Sequence, residues 1–185
     1  MASHCQHLHL NEINTAIAPV NFSNFTNLKT ILISSREGEL YHSIMNIRNS
    51  NIDIHCTVET VNEHELSTVY QNVTRLTITS GVNGMNGSLS YHLNYPSLRS
   101  LHFAKGCGRH VHGLTLGENM KGLEELIIED DCFTDLAENQ LFECKGLQYL
   151  RAITIGENSL PHFTKCRIVG RSPSPSFHIR DLYDN

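Results

Sequence analysis

Five acids crowd the stretch GLEELIIEDDCF, residues 122 to 133: Glu124, Glu125, Glu129, Asp130 and Asp131. Carboxylates that converge in one cleft can share a proton for general acid–base work or hold a divalent cation. Two other stretches carry metal-ligand types. HCQHLH holds His4, Cys5, His7 and His9, and CGRHVH holds Cys107, His110 and His112 at a spacing that could give three ligands from one loop. Structural zinc sites usually pair two such clusters at a more regular spacing. Ordinary exposed and half-buried histidines are therefore the simpler reading, with Cys107, His110 and His112 kept as the metal alternative. No cysteine lies in a recognisable nucleophile signature, and the glycines of GVNGMNG lack the following Lys-Ser/Thr of a phosphate loop.

Whether the acids make a site depends on the element that carries them. Laid over LEELIIEDD from Leu123, the segments LKTILISSR from Leu28, VTRLTITSG from Val73, LRSLHFAKG from Leu98 and LRAITIGEN from Leu150 share a pattern. Each places an aliphatic or Phe residue at first, fourth and sixth place. A degenerate copy, NSNIDIHCT from Asn49, divides the one long interval. With 39% apolar residues a random window fills three places about 6% of the time, so recurrence at a near-constant interval is the signal.

Apolar residues at fourth and sixth place alternate along a short strand, burying one face and leaving the other free. A lone strand of that length has neither backbone partner nor core. Stacking copies supplies both, and because all copies run the same way the sheet is parallel. In this frame Glu125 and Glu129 fall on the free face, Asp130 and Asp131 in the turn that follows. The equivalent places on neighbouring rungs hold Ser100, Ala104, Ala152 and Gly156 rather than more acids. The acids read as one rung of a ladder and not as half of a catalytic pair. Cys107 and Cys132 share the tenth place with Ser159, where Cys serves as a compact residue packed beneath the turn.

LRAITIGEN satisfies the whole L-x-x-L-x-L-x-x-N pattern, with Asn158 at ninth place, where an Asn side chain bonds backbone groups at the turn. Other copies put Asp131, Gly106, Gly81 and Arg36 there; Gly can make the turn through positive φ. The return segments LSYHLNYPSL, VHGLTLGENMKGL and SFHIRDL each carry two apolar residues separated by one, which predicts a brief extended segment on the outer side of each turn. On LEELIIEDDCF, LRAITIGENSL and SFHIRDL the chain resembles the irregular leucine-rich-repeat proteins of protists, and in style the bacterial surface-antigen-type repeats, over roughly residues 70 to 185.

The expected fold is a leucine-rich-repeat-like solenoid, with a parallel β-sheet on one face, short strands or loops on the other, and few helices. Residues 1–27 read as a non-repeat, cap-like segment, 28–170 as the solenoid (divergent before about 70), and 171–185 as a loop and the start of a further, incomplete repeat. An incomplete repeat is the expectation for a fragment or an incomplete gene model. LQYLRAI permits a strand frame starting at Leu147 or at Leu150.

The resemblance implies a binding module without catalysis. The exposed strand residues expected to meet a protein or peptide partner are Arg75, Thr77, Ser100, His102, Glu125, Ile127, Glu129 and Thr154. A partner presenting Lys or Arg to Glu125 and Glu129 is the sharper version. The alternatives are a metal-binding or redox-responsive protein using the His/Cys clusters, and a truncated repeat copy without independent function. No cofactor is expected. A formal charge of −5 and the lack of any Lys/Arg cluster argue against nucleic acid and acidic lipid. The N-terminus lacks a secretory pattern, no apolar run approaches a membrane span, and the six cysteines form no CxxC, so an intracellular, cytoplasmic location is expected.

Overall fold

The computed structural model describes residues 4–11, 25–35, 52–62, 72–83, 95–107, 114–116, 120–133, 142–145, 147, 149–159, 167–169 and 176–180. Among them are eleven strands and almost no helix. In chain order these are β1 (His7–Asn11), β2 (Thr30–Ser35), β3 (Asp53–Asn62), β4 (Arg75–Asn83), β5 (Ser100–Phe103), β6 (Leu114–Leu116), β7 (Glu125–Ile128), β8 (Phe142–Lys145), β9 (Ala152–Gly156), β10 (Arg167–Val169) and β11 (Ser176–Arg180).

Eight strands form one parallel sheet in the order β1-β2-β3-β4-β5-β7-β9-β11, and β10-β8-β6 form a second parallel sheet of three. Each main-sheet strand therefore pairs with the next main-sheet strand in the chain, an arrangement compatible with a repeat stack. The register stacks the inward residues in two columns: Leu76, Leu101, Leu126 and Ile153 are successive Cα partners, as are Ile78, Phe103, Ile128 and Ile155. All eight are buried, and β5 and β7 alternate half-buried and buried residues as the apolar pattern requires. At about 1.5–3 kcal/mol for each fully buried aliphatic or aromatic side chain, the two columns are the main gain of adding a rung. The second sheet closes on the same core, since Leu116 of β6 is fully buried in it.

The turns leaving β5, β7 and β9 are knit by small tenth-place residues. The Ser159 hydroxyl donates to the Glu129 carbonyl at 2.7 Å and accepts from the Cys132 N–H at 2.9 Å. One rung earlier, Cys132 Sγ donates to the Ala104 carbonyl at 3.2 Å, the equivalent seventh-place acceptor. Cys107, Cys132 and Ser159 are all fully buried, as their shared place predicts. Gly106 turns at φ 74°, and Asp131, at the same ninth place, takes φ 59°. After β5 and β7 the ninth place thus makes a left-handed turn, which Gly fills without strain and Asp tolerates, whereas Asn158 at the same place after β9 is not left-handed.

Several expectations change. Asn158 does not knit its turn through its side chain, which is exposed; its backbone N–H instead donates to the buried Asp130 carboxylate at 3.0 Å. Gly81 makes no turn, because β4 runs on to Asn83 with Gly81 opposite Thr60, past a bulge between the Val58 and Thr60 pairings. The copy placed at Asn49 is framed two residues too early: Ile54 and Cys56 pair with Ile31 and Ile33. A slip of two keeps every side chain on its own face, and Ile52, Ile54, Cys56 and Val58 are all buried, so alternation alone does not set this register.

His7–Asn11, within the stretch that shows no repeat by pattern, is the first main-sheet strand, with Leu8 and Leu10 opposite Ile31 and Ile33. SFHIR is not an outer segment: it is β11, paired with β9 in the main sheet. The outer strands are β6, where LTL was expected to be extended, and β8 and β10, which were not anticipated. The strand after LQYLRAI takes the Leu150 frame, with Ile153 and Ile155 inward and Leu147 buried as well. Residues 89–94 of the LSYHLNYPSL segment, 12–24 of the proposed cap, and 170–175 and 181–185 near the other end lie outside the described residues.

Candidate interaction surface

Strand alternation turns the third, fifth and seventh places away from the core, and register aligns them across rungs. Arg75, Ser100 and Glu125 are successive partners in one row, while Thr77, His102, Ile127 and Thr154 are successive partners in the next. Glu129 follows β7 directly. Arg75 is exposed and the other seven expected contact residues are half-buried. All eight therefore lie on one continuous face.

The polar groups on this face are largely engaged with the neighbouring rung. Arg75 Nε lies 3.4 Å from Asp53 Oδ2, and the Asp53 carboxylate also receives the Thr74 hydroxyl. Ser100 Oγ donates to Glu125 Oε2 at 2.9 Å. Glu129 grips the preceding rung twice, with Oε1 2.7 Å from His102 Nε2 in β5 and Oε2 accepting the Lys105 N–H at 2.8 Å in the turn after it. His55 Nε2 lies 3.0 Å from Thr77 Oγ1. Burial, then the Arg75 charge, lowers the His55 pKa from its ordinary 6.5, with His102 adding slightly and Asp53 opposing. These cross-strand pairs fix side-chain rotamers on the surface a partner would meet.

Asp53 and His55 belong to this face, and sequence reasoning missed both. Their signal was present in NSNIDIHCT, but its first place in the true frame is Asn51 rather than an aliphatic residue. At the N-terminal ends of β3, β4, β5 and β7 the face opens into a groove of about 570 Å³, whose charged lining is Asp53, Arg75, Arg99, Glu124 and Glu125. Arg99 was likewise missed, and Glu124, named only among the five acids, was not placed on this surface, because both stand one residue before their strands.

The five acids of the opening stretch divide among separate tasks. Asp130 is buried and holds a turn, Glu129 clamps His102 and Lys105, Asp131 lies 3.9 Å from Lys105 Nζ, and Glu124 and Glu125 line the groove. Among the described residues no three His, Cys, Asp or Glu side chains gather as a metal set. Cys107 is fully buried, and burial, with Cys132 alongside, raises its thiol pKa; His110 and His112 lie outside the described residues. Burial likewise pushes the Cys56 and Cys132 thiols up to about 12, which keeps them protonated and poor as nucleophiles or ligands near neutral pH. No helix among the described residues is long and apolar enough to cross a membrane. Comparison with protein-family models, curated proteins and solved structures returns no match.

Proposed function

We propose that this chain is a non-catalytic protein–protein interaction module that uses the exposed face of a leucine-rich-repeat-like solenoid. The observation that carries the proposal is the in-register row structure of that face. Successive parallel strands present mixed polar side chains and Ile127 on one surface, with a core that needs nothing from them. The strand order and the second, outer sheet fit a solenoid; the exposed Asn158 side chain departs from the usual leucine-rich-repeat turn. A broad, shallow, polar face with a few apolar residues, among them Leu32 at 38% exposed, suits a protein surface better than a small apolar ligand. Glu125 and Glu129 give the partner a reason to be basic near β7, although both carboxylates already accept hydrogen bonds within the chain.

The test is affinity capture from a lysate, identification of the captured protein, and re-measurement of binding with that protein purified. Glu125→Lys and Thr154→Arg, each first shown to be folded and monomeric, are expected to weaken binding on the order of tenfold. Unchanged affinity in both folded variants rules out this face as the binding surface.

A further inference from the structure

We propose that the groove at the start of β3, β4, β5 and β7 receives an extended peptide segment that carries an acidic side chain for Arg99 and, two residues away, an arginine or lysine for Glu124 and Glu125. This rests on the interaction-module reading and gives its partner a charge pattern.

Four neighbouring rungs line the groove, and their charges differ in how they are used. Arg75 and Asp53 neutralise one another, with Asp53 further held by Thr74. Glu125 accepts from Ser100. Arg99 and Glu124 stand on adjacent rungs, joined through the backbone by the Glu124 N–H donating to the Arg99 carbonyl at 2.8 Å, yet neither side chain forms an ion pair with any described residue. A guanidinium and a carboxylate thus face the same 570 Å³ space without satisfying each other.

Three carboxylates and two guanidiniums line that space, so a ligand of a single sign meets repulsion. A polybasic segment meets Arg99 and Arg75; a polyacidic segment or a phosphate backbone meets Asp53, Glu124 and Glu125. One acid beside one base matches both free charges. The strands here are paired on both sides, so the peptide has no edge to join and is held through side chains laid across the rungs. Rungs repeat at about 4.8 Å, whereas same-side residues of an extended peptide repeat at about 6.6 Å. The long arms of Glu and Arg absorb that difference at a spacing of i and i+2. An arginine is favoured over lysine, because its planar fork can address two carboxylates, and Glu124 and Glu125 are sequence neighbours in the lining.

The experiment is an NMR titration, sensitive to weak binding, with blocked-terminus hexapeptides of glycine containing Glu-Gly-Arg, Arg-Gly-Glu, Arg-Gly-Arg or Glu-Gly-Glu at the centre. One of the two mixed-charge orders is expected to bind on the order of tenfold tighter than either single-sign peptide, with shifts confined to residues around Arg99 and Glu124. Arg99→Glu and Glu124→Arg, confirmed folded by thermal melts, each remove that preference. The double variant restores binding with the opposite order preferred, an outcome that loss of structure does not produce. Equal binding of all four peptides, no binding of any, or an unchanged preference in Arg99→Glu overturns the proposal. Binding of free arginine in place of the blocked peptides also overturns it, in favour of a small zwitterion. If a captured protein partner is lost in Thr154→Arg but unaffected by Arg99→Glu, the groove assignment fails while the interaction-module reading stands.

Discussion

The two ends of the main-sheet strands are built in opposite ways. Where β5, β7 and β9 end, each described turn is tied to the next by buried polar groups: Ser159 bonds the Glu129 carbonyl and the Cys132 N–H, Cys132 bonds the Ala104 carbonyl, and Asp130 accepts the Asn158 N–H. Where β5 and β7 begin, Arg99 and Glu124 have only backbone links to their neighbours, and their charges are left toward solvent. The first end engages its polar residues with one another, so its side chains are fixed by structure. The second leaves Arg99 and Glu124 without an ion pair among the described residues, although Asp53, Arg75 and Glu125 beside them are engaged. Those two are the charges proposed to meet a partner. The strands between them share one alternation of half-buried and buried residues, so the contrast between the ends comes from the residues that flank the strands.

If that contrast holds, substitutions at the knitted end are large and those at the open end small. Gly156→Ala is expected to do most damage, because a Cβ there would lie 2.7 Å from the Asp130 backbone nitrogen and also meet its carboxylate. A loss of about 3 kcal/mol is expected in urea unfolding, as for severe overpacking. Adding Asp130→Ala removes the carboxylate but not the backbone contact, so the double variant is expected to remain destabilised.

Ser159→Ala comes next. It strips the Glu129 carbonyl and the Cys132 N–H of their shared buried partner, and about 2 kcal/mol is expected to be lost by the same measurement. Ser159→Cys, the residue found at the same place one rung earlier, is expected to recover part of that loss. A stability equal to wild type in Ser159→Ala would show that the tenth-place ladder is incidental.

A smaller effect is expected on the open face from pH. The folded pKa of His55 lies below the unfolded value of about 6.5, so the unfolded chain binds the proton more readily. This contribution to stability is complete above pH 6.5 and falls as pH drops through 6.5 toward the lowered folded value. The pH dependence of the melting temperature is expected to be shallower in that window for His55→Gln. Smallest of all, Arg99→Ala is expected to change stability by no more than about 0.5 kcal/mol, since its side chain forms no ion pair among the described residues. A larger loss would mean that the open end is structural after all.

The regular rungs were legible in the sequence because Leu28, Val73, Leu98, Leu123 and Leu150 mark the first place, three residues before an inward pair. All five are buried, so the pattern reported a real packing position. The rungs that were missed or misread share one defect. Cys5, Asn51 and Ser174 stand at first place ahead of Leu8, Ile54 and Phe177, and none is aliphatic. Without that marker a β1 or β11 strand looks like any pair of apolar residues separated by one, which inner and outer strands have in common. Of the candidate surface, the third-, fifth- and seventh-place residues followed directly from alternation, whereas Asp53, His55, Arg99 and Glu124 needed the register and the groove.

The sequence alone determined which residues turn inward and that the copies must run parallel, because alternation and chain direction are local properties. It also marked the tenth place as small and buried. Only the tertiary structure decided which copy pairs with which at what offset, because a two-residue slip leaves every face unchanged. It likewise decided that Asp130 and Ser159, rather than Asn158, hold the turns, and that Arg99 and Glu124 share a groove without pairing. Those outcomes depend on distances between rungs that the chain brings together only by stacking.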